Sequence, residues 1–297
     1  MCVSRILSPS RRALLLGIAS ASLTGSRAWA DTRAASSARA RLAALETESA
    51  GRLGVAALNT AGGTRLSHRG GERFALCSTF KILAVAAILR RSAKEPALLQ
   101  QRISYAPGDL VAYSPLTGQR VAVGMTVAEL CGAALQYSDN TAANLLLKML
   151  GGPAAVTGFA RTIGDRAFRL DRWETALNGA VPGDPRDTST PDAMARSLQR
   201  LVLGDALAPP QREQLQAWMR GNTTGAERIR AGVPAAWQVG DKTGSGDYGV
   251  TNDIAVIWPP DRSPVVLALY FAQHGKDARP RSEVLASATR IVVQALA

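Results

Sequence analysis

A chain of 297 residues with 46% apolar side chains is long enough to bury one large core or two compact lobes without help from a metal or a disulfide. Its formal net charge is +12, yet the lysines and arginines form no run interleaved with aromatic residues, which make up only 5% of the chain, so a nucleic-acid track is excluded and the charge reads as a solvated basic surface. Two histidines, with no H-x-x-x-H spacing, argue against a zinc hydrolase site, and the lack of any G-x-S-x-G elbow removes the usual triad hydrolase; no metal or other cofactor is expected.

The first thirty residues read as an export signal. Arg11-Arg12 precede the apolar run "ALLLGIASASLTG", and Ala28-Trp29-Ala30 offers small residues for cleavage after Ala30. The run is shorter than the roughly 20 apolar residues that span a bilayer, so no membrane anchor is expected. The segment carries Arg5, Arg11, Arg12 and Arg27 and no acids, and losing those four charges takes +12 to +8. "SRRALLL" resembles a twin-arginine signal, and an ordinary secretory signal fits as well. By either route the protein is expected to be periplasmic or secreted. Cys2 leaves with the signal. Cys77 and Cys131 sit in apolar settings, so two buried thiols are expected, although the compartment would allow a pair.

Past the signal, "ASSARARLAALETES" has helical spacing up to Gly51, and "GVAALNT" and "TRLSHRG" around Ala61-Gly62-Gly63 predict a hairpin. Helical patterns begin at Thr79, in "TFKILAVAAILRR", "TVAELCGAALQYS", "TAANLLLKMLG" with Gly151 as its C-cap, and "PAAVTGFARTIG". Residues 169–190 are polar, punctuated by Gly and Pro and without periodicity, which marks a long functional loop. Helices resume with Thr190 as N-cap and Pro191 in the first turn, then at "PQREQLQAWMRG". Three strands, "AWQVGDKTG", "NDIAVIWP" and "PVVLALYFAQ", and a helix from Glu283 close the chain.

Strands at both ends with helices between them predict an α/β protein of two lobes. Its antiparallel sheet with flanking terminal helices comes from residues 31–76 and 222–297. An inserted all-helical lobe, 77–221, includes the loop 169–190. A cleft is expected where the lobes join.

Three short patterns could populate that cleft. "CSTFK" places Ser78 at a helix start with Lys81 three residues on, one turn away on the same face. Serine needs a base to become a nucleophile, and a partly desolvated lysine is one candidate. "YSDN" sets Ser138, Asp139 and Asn140 at a boundary between two helices, and "DKTG" sets Lys242, Thr243 and Gly244 on a terminal strand. The same strand holds a literal G-x-G-x-x-G at Gly244, Gly246 and Gly249, but the residues after Gly249 are strand-like rather than helical, so a phosphate cradle is rejected.

Taken singly, each pattern is an ordinary cap or a solvated lysine. S-x-x-K, S-D-N and K-T-G in this order are the three motifs of the penicillin-recognising serine enzymes. Glu174 and Asn178 in "RWETALN" add an E-x-x-L-N pattern within the long loop. On these residues the chain resembles a class A serine β-lactamase over essentially its whole mature length, with "KTGSGDYG" and "CST" most similar to the cefotaximase-like branch. Penicillin-binding transpeptidases share the first three motifs and lack the glutamate.

The resemblance implies the serine β-lactamase/penicillin-binding fold and a monomeric hydrolase that opens penicillins and cephalosporins through an acyl-serine. Ser78 is the implied nucleophile, and its proton leaves through Lys81 or through a water held by Glu174. The N–H groups of Ser78 and Ser245 form the implied oxyanion hole. Ser138 beside Lys242 relays a proton to the leaving nitrogen. Lys242, Thr243, Ser245 and Arg228 bind the substrate carboxylate, with Asn140, Gly244 and Tyr113 lining the site. Glu174 and Asn178 hold the deacylating water, and Arg169 pairs with Asp187 to close the loop. Ser245 leans toward extended-spectrum cephalosporins.

The departures from the family pattern are specific. Val85 stands where a common class A disulfide partner of Cys131 would lie, and Gly246 stands where a carbapenem-hydrolysing branch has a cysteine facing Cys77, so both bridges are expected to be absent. Thr175 replaces the proline common after the loop glutamate, leaving the form of that peptide bond open.

Overall fold

The protein's structure, a computed structural model, describes residues 34–296, so the export signal expected over residues 1–30 lies outside the described residues. Helix α1 covers residues 34–48. It leads into strand β1 (Arg52–Asn59), which turns back antiparallel into β2 (Arg65–His68) as the hairpin pattern predicts. The last three strands, β7 (Gln238–Gly246), β8 (Val250–Trp258) and β9 (Val265–Ala272), join the same sheet in the order β2-β1-β9-β8-β7. Every neighbouring pair is antiparallel, and β1 from one end of the chain meets β9 from the other in the register Val55↔Leu269.

The two-residue side-chain period assigns the faces of this sheet. Leu53, Val55 and Ala57 of β1 and Leu267, Leu269 and Phe271 of β9 enter one core with Leu42 of α1 and Val292 of the closing helix α8 (Ser282–Leu296). Ala56 and Leu58 of β1 and Val266, Ala268 and Tyr270 of β9 enter a second core on the opposite face. Both faces being covered, the inner strands read as nearly continuous apolar runs rather than as alternating ones. Each fully buried leucine or isoleucine contributes about 1.5–3 kcal/mol of transfer free energy.

The second core is shared with the helices inserted between β2 and β7. Helix α2 (Lys81–Ser92) lies at its centre and is buried over all but its last turn, where Arg90 and Arg91 meet the negative end of the helix dipole. Around it pack α3 (Val127–Gln136), α4 (Asn140–Leu150), α5 (Pro153–Thr162) and α7 (Pro209–Arg220), while α6 (Pro191–Val202) lies on the sheet against β1, β8 and β9. The ends of these helices are chemically marked. Thr126 and Glu129 form a capping box for α3, Asp139 caps α4, and Gly151 ends α4 in the left-handed region at φ 99°. Thr190 caps α6 by accepting from the Ala193 N–H, with Pro191 in the first turn.

Four two-residue strands make two small ladders. In one, β3 (Phe74–Ala75) pairs with β6 (Thr188–Ser189), tying the end of the long loop to the segment just before Ser78. In the other, β4 (Arg102–Ile103) pairs with β5 (Met125–Thr126). Apart from β6 and the isolated bridge between Arg169 and Thr188, the regular structure of the loop is a 3-10 turn, Ala176–Gly179. Strand β7 has one neighbour in the sheet, so its other edge is the one available to a ligand.

Candidate active site

Ser78 does not begin an α-helix directly, as the sequence pattern suggested, but sits in a 3-10 turn (Cys77–Phe80) that runs into α2. Cys77 enters that turn at φ 43°, a left-handed conformation unusual for a non-glycine residue. Neighbouring groups hold the turn. The Leu76 N–H donates to the Asp187 carbonyl at 2.8 Å, Asn252 Nδ2 donates to the carbonyls of Ala75 and Leu76, and the Thr79 hydroxyl donates to Leu76 at 2.7 Å.

Strand β7 presses against this turn. A Cβ at Gly244 would lie 2.9 Å from the Leu76 carbonyl oxygen and 3.3 Å from the Ser78 nitrogen, and one at Gly246 would lie 2.5 Å from the Asn178 carbonyl oxygen and 2.7 Å from Cys77 Sγ. Gly244 and Gly246 are therefore required by the protein's own backbone. They let the nucleophile's turn and the loop close onto β7.

Three buried side chains converge from three elements. Ser78 Oγ donates to Glu174 Oε1 at 3.2 Å, and the same oxygen pairs with Lys81 Nζ at 3.0 Å. Lys81 Nζ also donates to the Ser138 carbonyl at 2.8 Å and to Asn140 Oδ1 at 2.6 Å, and lies 3.5 Å from Ser138 Oγ. Burial pushes the Lys81 ammonium below its ordinary pKa, and the Glu174 carboxylate opposes that shift.

Ser138 adopts φ 56° between α3 and α4, and its Oγ accepts from Lys242 Nζ at 3.1 Å. The hydroxyl thus faces Lys81 on one side and Lys242 on the other. Lys242 is fully buried, and burial, then the positive charge of Lys81, lowers its pKa to about 7. The next residue, Asp139, has its carboxylate filled by four donors: the N–H groups of Leu116, Thr117 and Ala142 and the Thr117 hydroxyl. That residue both caps α4 and pins the preceding loop. Asn140 binds the same loop, with its N–H on the Tyr113 carbonyl at 3.0 Å and its Nδ2 on the Ala112 carbonyl at 2.9 Å. The Tyr113 ring beside it is 61% exposed.

Along β7, the Thr243 hydroxyl is hydrogen-bonded to that of Thr224. Arg228 is buried behind the strand, where it donates to the carbonyls of Gly244 (2.8 Å) and Asn252 (2.7 Å) and to Ser245 Oγ (2.7 Å). Its guanidinium is engaged by the strand, and its route toward a ligand runs through the Ser245 hydroxyl.

Two residues that sequence reasoning missed hold the loop that carries Glu174. Asn144, on α4 four residues beyond Asn140 and so on the same helix face, donates from Nδ2 to the Glu174 carbonyl at 2.9 Å and accepts from the Glu174 N–H at 3.0 Å. The i, i+4 asparagine pair on α4 is the signal that could have found it. Asn178 Nδ2 donates to Glu174 Oε2 at 2.6 Å. The peptide bond between Glu174 and Thr175 is cis.

The second missed residue is Arg172, and it corrects the expected Arg169–Asp187 pair. Asp187 pairs with Arg172 Nε and also accepts from the N–H groups of Asp171 (2.7 Å) and Arg172 (2.9 Å). Arg169 instead binds Asp171 with its side chain at 2.8 Å while its N–H donates to the Thr188 carbonyl. The reason is local geometry. Asp187 adopts φ 55° and turns its buried carboxylate toward the backbone at 171–172, whereas Arg169 is held in a bridge to Thr188 with its side chain in solvent. Cys77 and Cys131 are free and buried, with burial pushing both thiols up. Among the described residues, no group of three or more His, Cys, Asp or Glu side chains could hold a metal ion.

Comparison with known proteins places this arrangement. The family model described as the β-lactamase enzyme family matches residues 37–296. The β-lactamase CTX-M-25 of Escherichia coli is 59% identical over 252 residues, covering 85% of this chain and 87% of that protein. Toho-1, also of E. coli, is 54% identical over 95% of this chain and 97% of its own length, and OXY-2 of Klebsiella oxytoca is 56% identical over 90% and 91%. A crystal structure of a β-lactamase from Desulfarculus baarsii superposes with a TM-score of 0.87 at 60% identity, covering 88% of this chain and 97% of that one. The chain belongs to the β-lactamase enzyme family, within its class A, cefotaximase-like branch.

Proposed function

We propose that this enzyme hydrolyses penicillins and cephalosporins through an acyl-Ser78 intermediate, which confers resistance to them. One observation carries the reading: Glu174 Oε1 lies 3.2 Å from Ser78 Oγ and 3.0 Å from Lys81 Nζ. Ser78 Oγ attacks the ring carbonyl and passes its proton to the buried pair of Lys81 and the Glu174 carboxylate, in which Lys81, its pKa lowered by burial, takes the proton when the carboxylate is removed. Lys81 holds that carboxylate and Ser138 in register. Backbone N–H groups of Ser78 and Ser245 stabilise the oxyanion, each contributing roughly 10²- to 10³-fold.

As the carbonyl carbon–nitrogen bond breaks, the nitrogen takes a proton from Ser138 Oγ, which is resupplied through Lys81 by the proton that left Ser78, so Glu174 enters the second half as a carboxylate. In the second half, Glu174 removes a proton from water, the hydroxide adds to the ester carbonyl, and Ser78 leaves with its proton restored. The Asn178 amide orients Glu174 through its Nδ2, and its buried Oδ1, which has no protein partner, faces the incoming water as an acceptor. Lys242, Thr243 and Ser245 bind the substrate carboxylate, and Arg228 acts by aligning Ser245.

The same reading has the protein exported by the signal in residues 1–30 and active as a monomer, with Ser245 favouring extended-spectrum cephalosporins. Among the described residues no helix is long and apolar enough to cross a membrane. Steady-state turnover of a chromogenic cephalosporin tests the activity. Continuous colour release over many enzyme equivalents is expected, and a single stoichiometric burst would mean an acylating protein that cannot turn over.

A further inference from the structure

A cavity of about 580 Å³ contains none of Ser78, Lys81, Ser138, Glu174 or Lys242 in its lining. It lies between the loop segment 180–186 and the ends of β3, β8 and β9. Phe74, Val250 and Ala272 form its sheet side, and Val181, Pro182 and Pro185 form its loop side. Its volume falls within the roughly 300–1,000 Å³ of small-molecule sites, and its interior is apolar.

The rim is charged and unbalanced. Arg52, Arg73, Arg172 and Arg186 line the cavity with two carboxylates, Glu72 and Asp184, while Asp187 holds Arg172 from outside the lining. Arg73 spends one nitrogen on the Ala167 carbonyl and the Thr188 hydroxyl, Arg52 is held by Glu72, and Arg186 by Asp184. A guanidinium has five N–H donors, so these contacts leave donors for a further anion.

We propose that this cavity binds an amphipathic organic anion, with an aromatic or other apolar body inside and a single sulfonate or carboxylate on the arginine rim. Occupancy slows deacylation through Arg172. That arginine lines the cavity, closes the loop on Asp187, approaches Asp184 at 3.6 Å and precedes Glu174 by two residues. An anion on the rim competes with Asp184 and Asp187 for it, and the loop arrangement that holds Glu174 is the one that loses. The coupling rests on the role assigned to Glu174, whereas binding itself does not.

The test uses 8-anilinonaphthalene-1-sulfonate and the full mature enzyme. Expected is a saturable, one-to-one fluorescence rise that persists when the catalytic cleft is blocked by a boronic acid inhibitor. N-phenyl-1-naphthylamine, the same body without the sulfonate, is expected to bind at least tenfold more weakly. Val181→Asp, at a half-exposed position on the roof, should weaken the sulfonate at least tenfold, and Arg186→Gln severalfold. No saturable binding, displacement by the boronic acid, or an affinity unchanged in both variants would overturn the site. At saturation kcat should fall severalfold with kcat/KM unchanged. An unmoved kcat with binding intact would overturn the coupling alone, and a fall in kcat/KM with rising KM would place the probe in the catalytic cleft.

Discussion

Asn144 grips the peptide groups of Glu174 on both sides, donating to its carbonyl at 2.9 Å and accepting from its N–H at 3.0 Å. One amide thereby sets the height of the loop carboxylate above α4. Asn144→Ala should lower kcat about 10- to 100-fold through misplacement of Glu174, with a smaller effect on the acylation rate. Pre-steady-state kinetics separates the two steps, and equal loss in both would give Asn144 a general structural role.

Arg172 and Arg169 make opposite predictions. Arg172→Gln leaves the buried Asp187 carboxylate with backbone donors only, which should cost about 2 kcal/mol. For a domain of this size that is roughly 4–8 °C in Tm, together with slower deacylation. Arg169→Gln removes an exposed pair with Asp171 and should stay within about 0.5 kcal/mol. Thermal melts of the two variants side by side decide between them.

The Lys242 ammonium, lowered to about 7 by burial and then by Lys81, gives the free enzyme a titration near neutrality. Carboxylate recognition needs the charged form, so kcat/KM should fall as pH rises through about 7, and Lys242→Arg should carry its plateau to higher pH. The same shift sets the sign of the linkage to stability. Between about 7 and the unfolded lysine value of about 10.4 the folded state binds fewer protons, so this group's contribution to stability rises with pH across that window. A kcat/KM profile flat from pH 6 to 9 would show that Lys242 stays charged.

Gly244→Ala places a methyl group 2.9 Å from the Leu76 carbonyl oxygen and 3.3 Å from the Ser78 nitrogen. The turn carrying the nucleophile must move away from β7, separating the two N–H groups assigned to the oxyanion hole. A loss of about 10²-fold in kcat/KM is expected. Activity within twofold of wild type would mean that the turn and strand separate without consequence.

Much of the site was legible in the sequence because its chemistry is local. Ser78 and Lys81 are one helical turn apart, Ser138 and Asn140 flank a helix cap, and Lys242 to Ser245 lie along one strand. The faces of the sheet were less legible, since burial on both sides erases the alternation that a half-exposed strand would show. What stayed hidden depends on which backbones meet in space. The choice between Arg169 and Arg172 turns on the left-handed conformation of Asp187, and the need for Gly244 and Gly246 comes from residues more than sixty positions away. Asn144 was hidden for a related reason: its partner is a loop peptide rather than a side chain.

Turnover of an acylated Ser78 is assigned to Glu174. Intact-protein mass spectrometry of Glu174→Gln mixed with benzylpenicillin tests it most directly. Expected is a persistent adduct equal to the mass of the penicillin, localised to Ser78, while wild-type protein returns to its free mass within the same interval. A Glu174→Gln protein that carries no adduct yet still consumes benzylpenicillin at the wild-type rate would contradict it.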